Sequence, residues 1–284
     1  MTELTNITVL GTGVLGSQIA FQTAYHGHPV VAYDISEEAL AAAKERFLGL
    51  INTYEAEVEG AAGGKAQEAF DRIRLSADLA DAVAEADLVI EAVPENPAIK
   101  QSTYEKLAAV APEHTVFATN SSTLLPSDLM AATGRPDRFL ALHFANRIWA
   151  MNTAEIMGTA QTDPEVYDRV VRFAEDIGMV PIAMKKEKAG YVLNSLLVPL
   201  LQAAGGLIAE GIADPETIDK TWRIGTGAPQ GPMQIFDIIG LTTAYNVSMM
   251  GDETQQAFAK ILKEDYIDQG KLGVATGEGF YRYQ

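Results

Sequence analysis

Apolar residues in the first two-thirds of the chain fall into two recurring patterns. Short apolar runs bounded by turn residues predict buried strands near 7–10, 29–34, 72–75, 87–92, 115–119, 139–144, 153–157 and 180–184. Between them, longer stretches predict helices near 17–25, 38–54, 65–70, 76–85, 98–110, 127–132 and 164–177. Ser36, followed by Glu37 and Glu38, is a good N-cap with acids in the first turn. Strands alternating with helices predict an α/β domain, a doubly wound parallel sheet covered on both faces. After Lys186 the alternation stops. Segments 189–212, 215–224, 233–249 and 254–269 read as helices with no strand between them. The chain is therefore expected to comprise an α/β domain over 1–186 and an all-α domain over 187–284.

The first strand runs into Gly11, Gly13 and Gly16 in G-x-G-x-x-G spacing, and the second ends at Asp34. Gly11 permits a tight turn, Gly13 lets a pyrophosphate approach the backbone, and Gly16 lets helix and strand pack closely. Val14 and Leu15 open the helix, whose free N–H groups and partial positive charge suit phosphates. Asp34 can accept hydrogen bonds from ribose hydroxyls and would repel a 2′-phosphate. Glycines in a tight turn can also bind nothing. Here the motif follows a strand, opens a helix and has its acid about 20 residues on, as a dinucleotide site requires.

The chain has 284 residues, 48% of them hydrophobic, enough for a sizeable core. Its 38 acidic and 21 basic residues give a net charge of −17, which disfavours nucleic acid as a partner. With no cysteine, disulfides, thiol catalysis and cysteine–metal sites are excluded, and no metal site is expected. A reducing cytoplasm suits this composition. The first residues carry no leader pattern, so none is expected. The uncharged stretch 189–209 is long enough to span a bilayer. Asn194, Ser195, Pro199, Gln202, Gly205 and Gly206 interrupt it. It is read as a helix buried between subunits or domains, with no membrane partner.

Ligands of such sheets bind beyond the carboxyl ends of the strands. The polar residues there are Glu95, Asn120, Ser121, Ser122, His143, Asn146 and Glu155. His143 is the natural general base, since imidazole titrates near neutrality. Glu155 can fix its tautomer and stabilise the imidazolium, and Ser122 can hold a substrate oxygen.

Several stretches together resemble the L-3-hydroxyacyl-CoA dehydrogenases, over nearly the whole chain. They are GTGVLG with Asp34, IEAVPEN at 90–96 followed by Lys100, TNSSTL at 119–124, HFAN at 143–146, AEI at 154–156, AGYVLN at 189–194, GAPQGPMQIFDIIGL at 227–241 and KLGVATGEGFY at 271–281. The resemblance implies a Rossmann-type NAD-binding domain, a helical dimerisation and substrate domain, and a homodimer. It implies that Glu95, Lys100, Asn120 and Asn146 help to bind NAD. It further implies that His143 and Glu155 form the catalytic pair, and that Ser122 and Asn194 contact the substrate.

The chain departs from the family pattern at three places. Arg147 stands where the family has Pro, Ala145 replaces the second Phe of its motif, and Ser195 replaces an Arg. The early helical hairpin, which in the family supplies basic residues for the CoA phosphates, is acidic here, with Lys65 alone near its tip. The expected reaction is NAD-dependent oxidation of the 3-hydroxyl of a short 3-hydroxyacyl-CoA such as 3-hydroxybutyryl-CoA. The alternative is a related dehydrogenase of the L-gulonate or carnitine type, acting on a free hydroxy acid or sugar acid. Arg147 favours that alternative if it clamps a carboxylate, and counts for nothing if it pairs with an acid such as Asp128. A third possibility, a non-catalytic NAD-binding protein, is opposed by the intact His143 and Glu155.

Overall fold

The computed structural model of the chain describes residues 3–283. It divides into two compact units, 1–191 and 192–284. The stretch 185–188, where the sequence pattern changes, lies just before the division.

In the first unit the order is β1 (Ile7–Leu10), α1 (Val14–Tyr25), β2 (Val30–Tyr33), α2 (Glu37–Glu57), α3 (Lys65–Asp71), β3 (Ile73–Ser76), α4 (Leu79–Val83) and β4 (Leu88–Glu91). Then come α5 (Pro97–Val110), β5 (Val116–Thr119), α6 (Pro126–Leu129), β6 (Phe139–Phe144), β7 (Thr153–Gly158), α7 (Pro164–Asp176) and β8 (Val180–Ala183). The eight strands form one sheet in the order β3-β2-β1-β4-β5-β6-β7-β8. The strand order reverses direction at β1 and β4, which is where a doubly wound sheet opens its ligand crevice.

Successive residues of a strand point to opposite faces, and both faces are covered. Leu88 and Ile90 of β4, Val116 and Ala118 of β5, and Leu140 and Leu142 of β6 join a core built with α1, α2, α3 and α7. Val89, Phe117 and Phe139 join a second core with α4 and α5. This is why the central strands read as continuous apolar runs rather than as alternating ones. Ser36 caps α2, accepting from the Ala39 amide at 3.2 Å.

The sheet is not wholly parallel. β7 runs antiparallel to β6, and β8 lies parallel to β7. A parallel crossover needs a dozen or more residues, and the link 145–152 is too short for one. The consequence is local and functional: His143 of β6 pairs directly with Glu155 of β7.

The helix that joins the units is α8 (Tyr191–Ala209), and the second unit continues with α9 (Pro215–Thr226), α10 (Pro232–Ile239), α11 (Leu241–Ser248) and α12 (Glu253–Ile261). The single helix expected over 233–249 is two. Gly240, at φ +93°, stands outside helical geometry and separates α10 from α11. Two buried carboxylates fasten this unit. Asp219 of α9 accepts from the Met233 and Gln234 amides at the start of α10 and from the Tyr281 hydroxyl. Asp237 of α10 accepts from the Phe280 and Tyr281 amides and the Tyr283 hydroxyl.

Among the described residues, α8 is the one helix long and apolar enough to cross a membrane by length and composition. It nevertheless carries a core face. Leu201 and Ala204 are buried, and a Cβ on Gly205 would lie 2.6 Å from the Phe258 ring. The helix approaches α12 that closely because Gly205 has no side chain.

Candidate active site

The glycine turn has the shape its spacing predicts. Gly11 has φ +90°, and a Cβ there would meet the Ala92 carbonyl oxygen at 2.6 Å. A Cβ on Gly16 would lie 1.9 Å from the Gly11 carbonyl oxygen, so this turn cannot close on any other residue. Around Gly13 nothing lies within 4 Å of such an atom. Gly11 and Gly16 therefore serve packing, whereas Gly13 leaves open space at the N-terminus of α1. No side chain caps that terminus, and no acid lies in its first turn. An open, uncapped helix start with exposed Val14 beside it fits a pyrophosphate.

Asp34 closes the other side of this cradle. Its Oδ2 accepts from the Thr12 amide at 2.8 Å and the Thr12 hydroxyl at 2.6 Å, while Oδ1 accepts from the Ile35 amide. The carboxylate is thereby fixed at the end of β2, where an adenosine ribose would lie. We expect kcat/KM with NAD to exceed that with NADP by about a hundredfold, because a 2′-phosphate would meet a fixed like charge. Equal use of the two cofactors would refute that role for Asp34.

A hydrogen-bonded chain of three side chains runs from the turn after β5 through the end of β6 into β7. Ser122 Oγ lies 3.0 Å from His143 Nε2, and His143 Nδ1 lies 3.1 Å from Glu155 Oε2. His143 and Glu155 are both buried. Because residues two apart share a face, Ala141 and His143 of β6 line up with Glu155 and Met157 of β7. The sheet thus places the acid beside the imidazole without help from any loop. With Glu155 accepting from Nδ1–H, Nε2 is left with its lone pair towards Ser122, the tautomer a base requires.

The remaining expected residues sort themselves around this chain. Glu95 Oε1 accepts from the Ser121 hydroxyl, the Ser122 and Thr123 amides and the Thr123 hydroxyl. Burial pushes the Glu95 carboxyl up, but the Ser121 and Thr123 bonds and the nearby Lys100 outweigh it and hold it down to about 2. Glu95 is therefore a fixed anion that shapes the Ser122 turn. Asn120 Oδ1 accepts from the Phe144 amide, tying the end of β5 to the end of β6. Asn146 is exposed in the 145–152 loop.

Lys100 is buried, donating to Glu91 Oε1 at 2.6 Å and to the Val93 carbonyl at 3.2 Å. Tyr104 and Thr119 donate to the other Glu91 oxygen. Glu91, an acid inside the apolar run DLVIEA, is thus the hub of a buried network. Its signal in the sequence is a charge in a strand nine residues before a lysine.

Two residues expected at the substrate have partners within the chain. The Lys65 ammonium sits 4.1 Å from the centre of the Tyr25 ring. Arg147, whose backbone is left-handed at φ +60°, donates from Nη2 to Glu57 Oε2 at 2.8 Å. The same oxygen accepts from the Trp149 indole at 2.8 Å, and Gln18 Oε1 accepts from the Arg147 amide. The acid that pairs with Arg147 is thus Glu57, at the end of α2, rather than Asp128. The 145–152 loop is in this way moored to the α2 hairpin. Asn194 lies in the first turn of α8, in the second unit.

Sequence reasoning passed over Tyr191. It is buried, its ring stacks on the His143 imidazole at 4.3 Å and 11°, and its hydroxyl donates to the Ser121 carbonyl at 2.7 Å.

The chain matches known proteins over its whole length. Residues 6–188 match the family described as 3-hydroxyacyl-CoA dehydrogenase, NAD binding domain, and residues 190–283 match its C-terminal domain. The mitochondrial hydroxyacyl-coenzyme A dehydrogenase of Rattus norvegicus is 34% identical, over 98% of this chain and 91% of its own length. A probable 3-hydroxybutyryl-CoA dehydrogenase of Bacillus subtilis is 33% identical, over 99% of this chain and 98% of its own. Among solved structures, a diketoreductase described for substrate-directed dual catalysis of dicarbonyl compounds has a TM-score of 0.97 and 70% identity, covering 100% of both chains. The (S)-3-hydroxybutyryl-CoA dehydrogenase of Ralstonia eutropha has a TM-score of 0.83 and 29% identity, over 99% of this chain and 100% of the other. With a matching family description across both of its parts, and with an NAD cradle leading to a Ser–His–Glu chain, this protein belongs to the 3-hydroxyacyl-CoA dehydrogenase family of NAD-dependent oxidoreductases.

Proposed function

We propose that the enzyme interconverts a β-hydroxy carbonyl compound and the corresponding β-dicarbonyl, and that the acyl group need not arrive as a CoA thioester. The observation that carries the reaction type is the Ser122–His143–Glu155 chain at the carboxyl edge of the sheet. A 3-ketoacyl thioester and a diketone share one reactive unit, a carbonyl β to another carbonyl. That shared unit reconciles the family with the 70% identical diketoreductase.

In the oxidising direction His143 Nε2 takes the hydroxyl proton, and the imidazolium so formed is stabilised by Glu155. Ser122 Oγ, already on Nε2, holds the substrate oxygen alongside it. The glycine turn and Asp34 would hold NAD, which would supply the hydride acceptor for oxidation and, in its reduced form, the hydride donor for reduction. In that reverse direction the His143 imidazolium supplies the proton to the new alkoxide. Asn194, in the second unit, is given a substrate contact by the resemblance alone.

Three features support a substrate without CoA phosphates. Lys65 is engaged by Tyr25, Arg147 by Glu57, and segment 37–71 carries eight acids against three bases. A free hydroxy acid is also less favoured, since a clamp by Arg147 would first have to break its pair with Glu57. Steady-state reduction with NADH of ethyl acetoacetate, acetoacetyl-CoA and acetoacetate tests this order. The neutral keto ester is expected to match or exceed the thioester in kcat/KM, with the free acid last. A thioester preference of a hundredfold or more would restore the 3-hydroxybutyryl-CoA reading, and a preference for the acid would restore the carboxylate clamp.

The homodimer is proposed on a separate ground. In the second unit Leu196, Ile212, Ile224 and Met250 are 65–81% exposed. This apolar exposure, together with the family resemblance, supports an interaction with a second copy of the chain. Light scattering at micromolar concentration should give twice the 30.5 kDa chain mass. A clean monomer would contradict it.

A further inference from the structure

Tyr191 makes two contacts that meet at the same catalytic pair. Its ring lies flat on His143, with planes 11° apart. Its hydroxyl holds the carbonyl of Ser121, the residue immediately before the serine whose Oγ touches His143 Nε2. The backbone of Tyr191 is left-handed at φ +51°, a conformation that bulky residues adopt only when their surroundings enforce it. Gly190 beside it, at φ +79°, takes the same region at no such cost. The strain therefore falls on the residue whose side chain is fastened at both its face and its tip. Burial, followed by the charges of Glu155, Glu95 and Glu91, pushes the phenol well above its usual range, so it stays protonated and remains a donor.

We propose that Tyr191 is a positioning residue for proton transfer, with its ring fixing the plane of the His143 imidazole and its hydroxyl fixing the turn that carries Ser122. The proposal rests on the reading of His143 as the general base. A π-face against an imidazole favours the protonated form. Among the described residues, Glu155 from β7 and Ser122 from the turn after β5 also face His143. Glu95 reaches it only through the Ser122 amide. Glu155 thus presents a carboxylate to the edge of the imidazole, and Tyr191 presents a neutral π-face to its plane.

The two contacts separate by mutation. Tyr191→Phe keeps the ring and removes the hydroxyl, and is expected to lower kcat by about threefold with an unmoved pH profile. Tyr191→Leu removes both. It should lower kcat about tenfold, leave KM for NAD within twofold, and displace the acidic limb of the oxidation profile about half a pH unit downwards. Tyr191→Met, which fills most of the volume without a π-face, carries the same expectation if the leucine variant does not fold. An unmoved limb with normal kcat in the leucine or methionine variant overturns the role of the ring. Normal kcat in Tyr191→Phe overturns that of the hydroxyl. NMR titration of the His143 ring in these variants reads the stack without reference to turnover. It therefore still tests the stack if His143→Ala proves active and the base is assigned wrongly.

Discussion

His143→Ala is expected to lower kcat by about 100- to 10,000-fold while KM for NAD changes little. On the proposed mechanism its imidazole takes the proton from a substrate oxygen held at Ser122, and its contacts are with Ser122, Glu155 and Tyr191 rather than with the glycine turn or Asp34. The loss should fall equally on kcat and kcat/KM, the pattern of an interaction made only as the proton moves. Glu155→Gln should also lower kcat strongly, because the cross-strand amide can still orient Nδ1–H but offers no charge to the imidazolium. Near-normal turnover in a folded His143→Ala variant would remove the proposed mechanism.

Lys100→Met is expected to destabilise the first unit by about 3–5 kcal/mol, because it leaves Glu91 charged and buried without its cation. The pair is made at 2.6 Å with both side chains wholly out of solvent. Removing one member exposes the full desolvation penalty of the other. For a unit of this size the melting temperature should fall by about 10 °C. Replacing both partners, in Glu91→Leu with Lys100→Met, should recover part of the loss and not all of it, since Tyr104 and Thr119 also donate to Glu91. The resemblance to the dehydrogenases places Lys100 on NAD, and the burial places it on Glu91. Thermal melting and KM for NAD, measured on the same variant, separate the two. A large rise in KM with an unchanged melting temperature would give Lys100 back to the cofactor.

Most of the sheet was legible because its signals are local. Ile7–Leu10 and Phe139–Phe144 are apolar runs between turn residues, and Ser36 caps α2 by a rule that spans only a few positions. His143 and Ser122 were legible as candidates for a related reason, since strand ends are where polar residues have no part in the core; Glu155 instead lies within β7 and meets His143 because that strand runs antiparallel. The direction of β7 was not read, although the short link 145–152 contains that information. Gly240 was passed over inside an otherwise periodic segment. The partners of Arg147 and Tyr191 were out of reach in a deeper sense. Arg147 meets an acid 90 positions away and Tyr191 a carbonyl 70 positions away, and no local pattern encodes such meetings.

The β6–β7 hairpin has a consequence for how such an enzyme can diversify. Its two legs hold His143 and Glu155 in fixed cross-strand register, and everything between them, residues 145–152, is loop. That loop can be rewritten as a cassette. A graft of equal length from a relative leaves His143 facing Glu155, whereas a strand slip of a single residue turns one of them to the opposite side of the sheet. Change within this loop can therefore proceed between two anchored ends while the register of His143 with Glu155 stays intact.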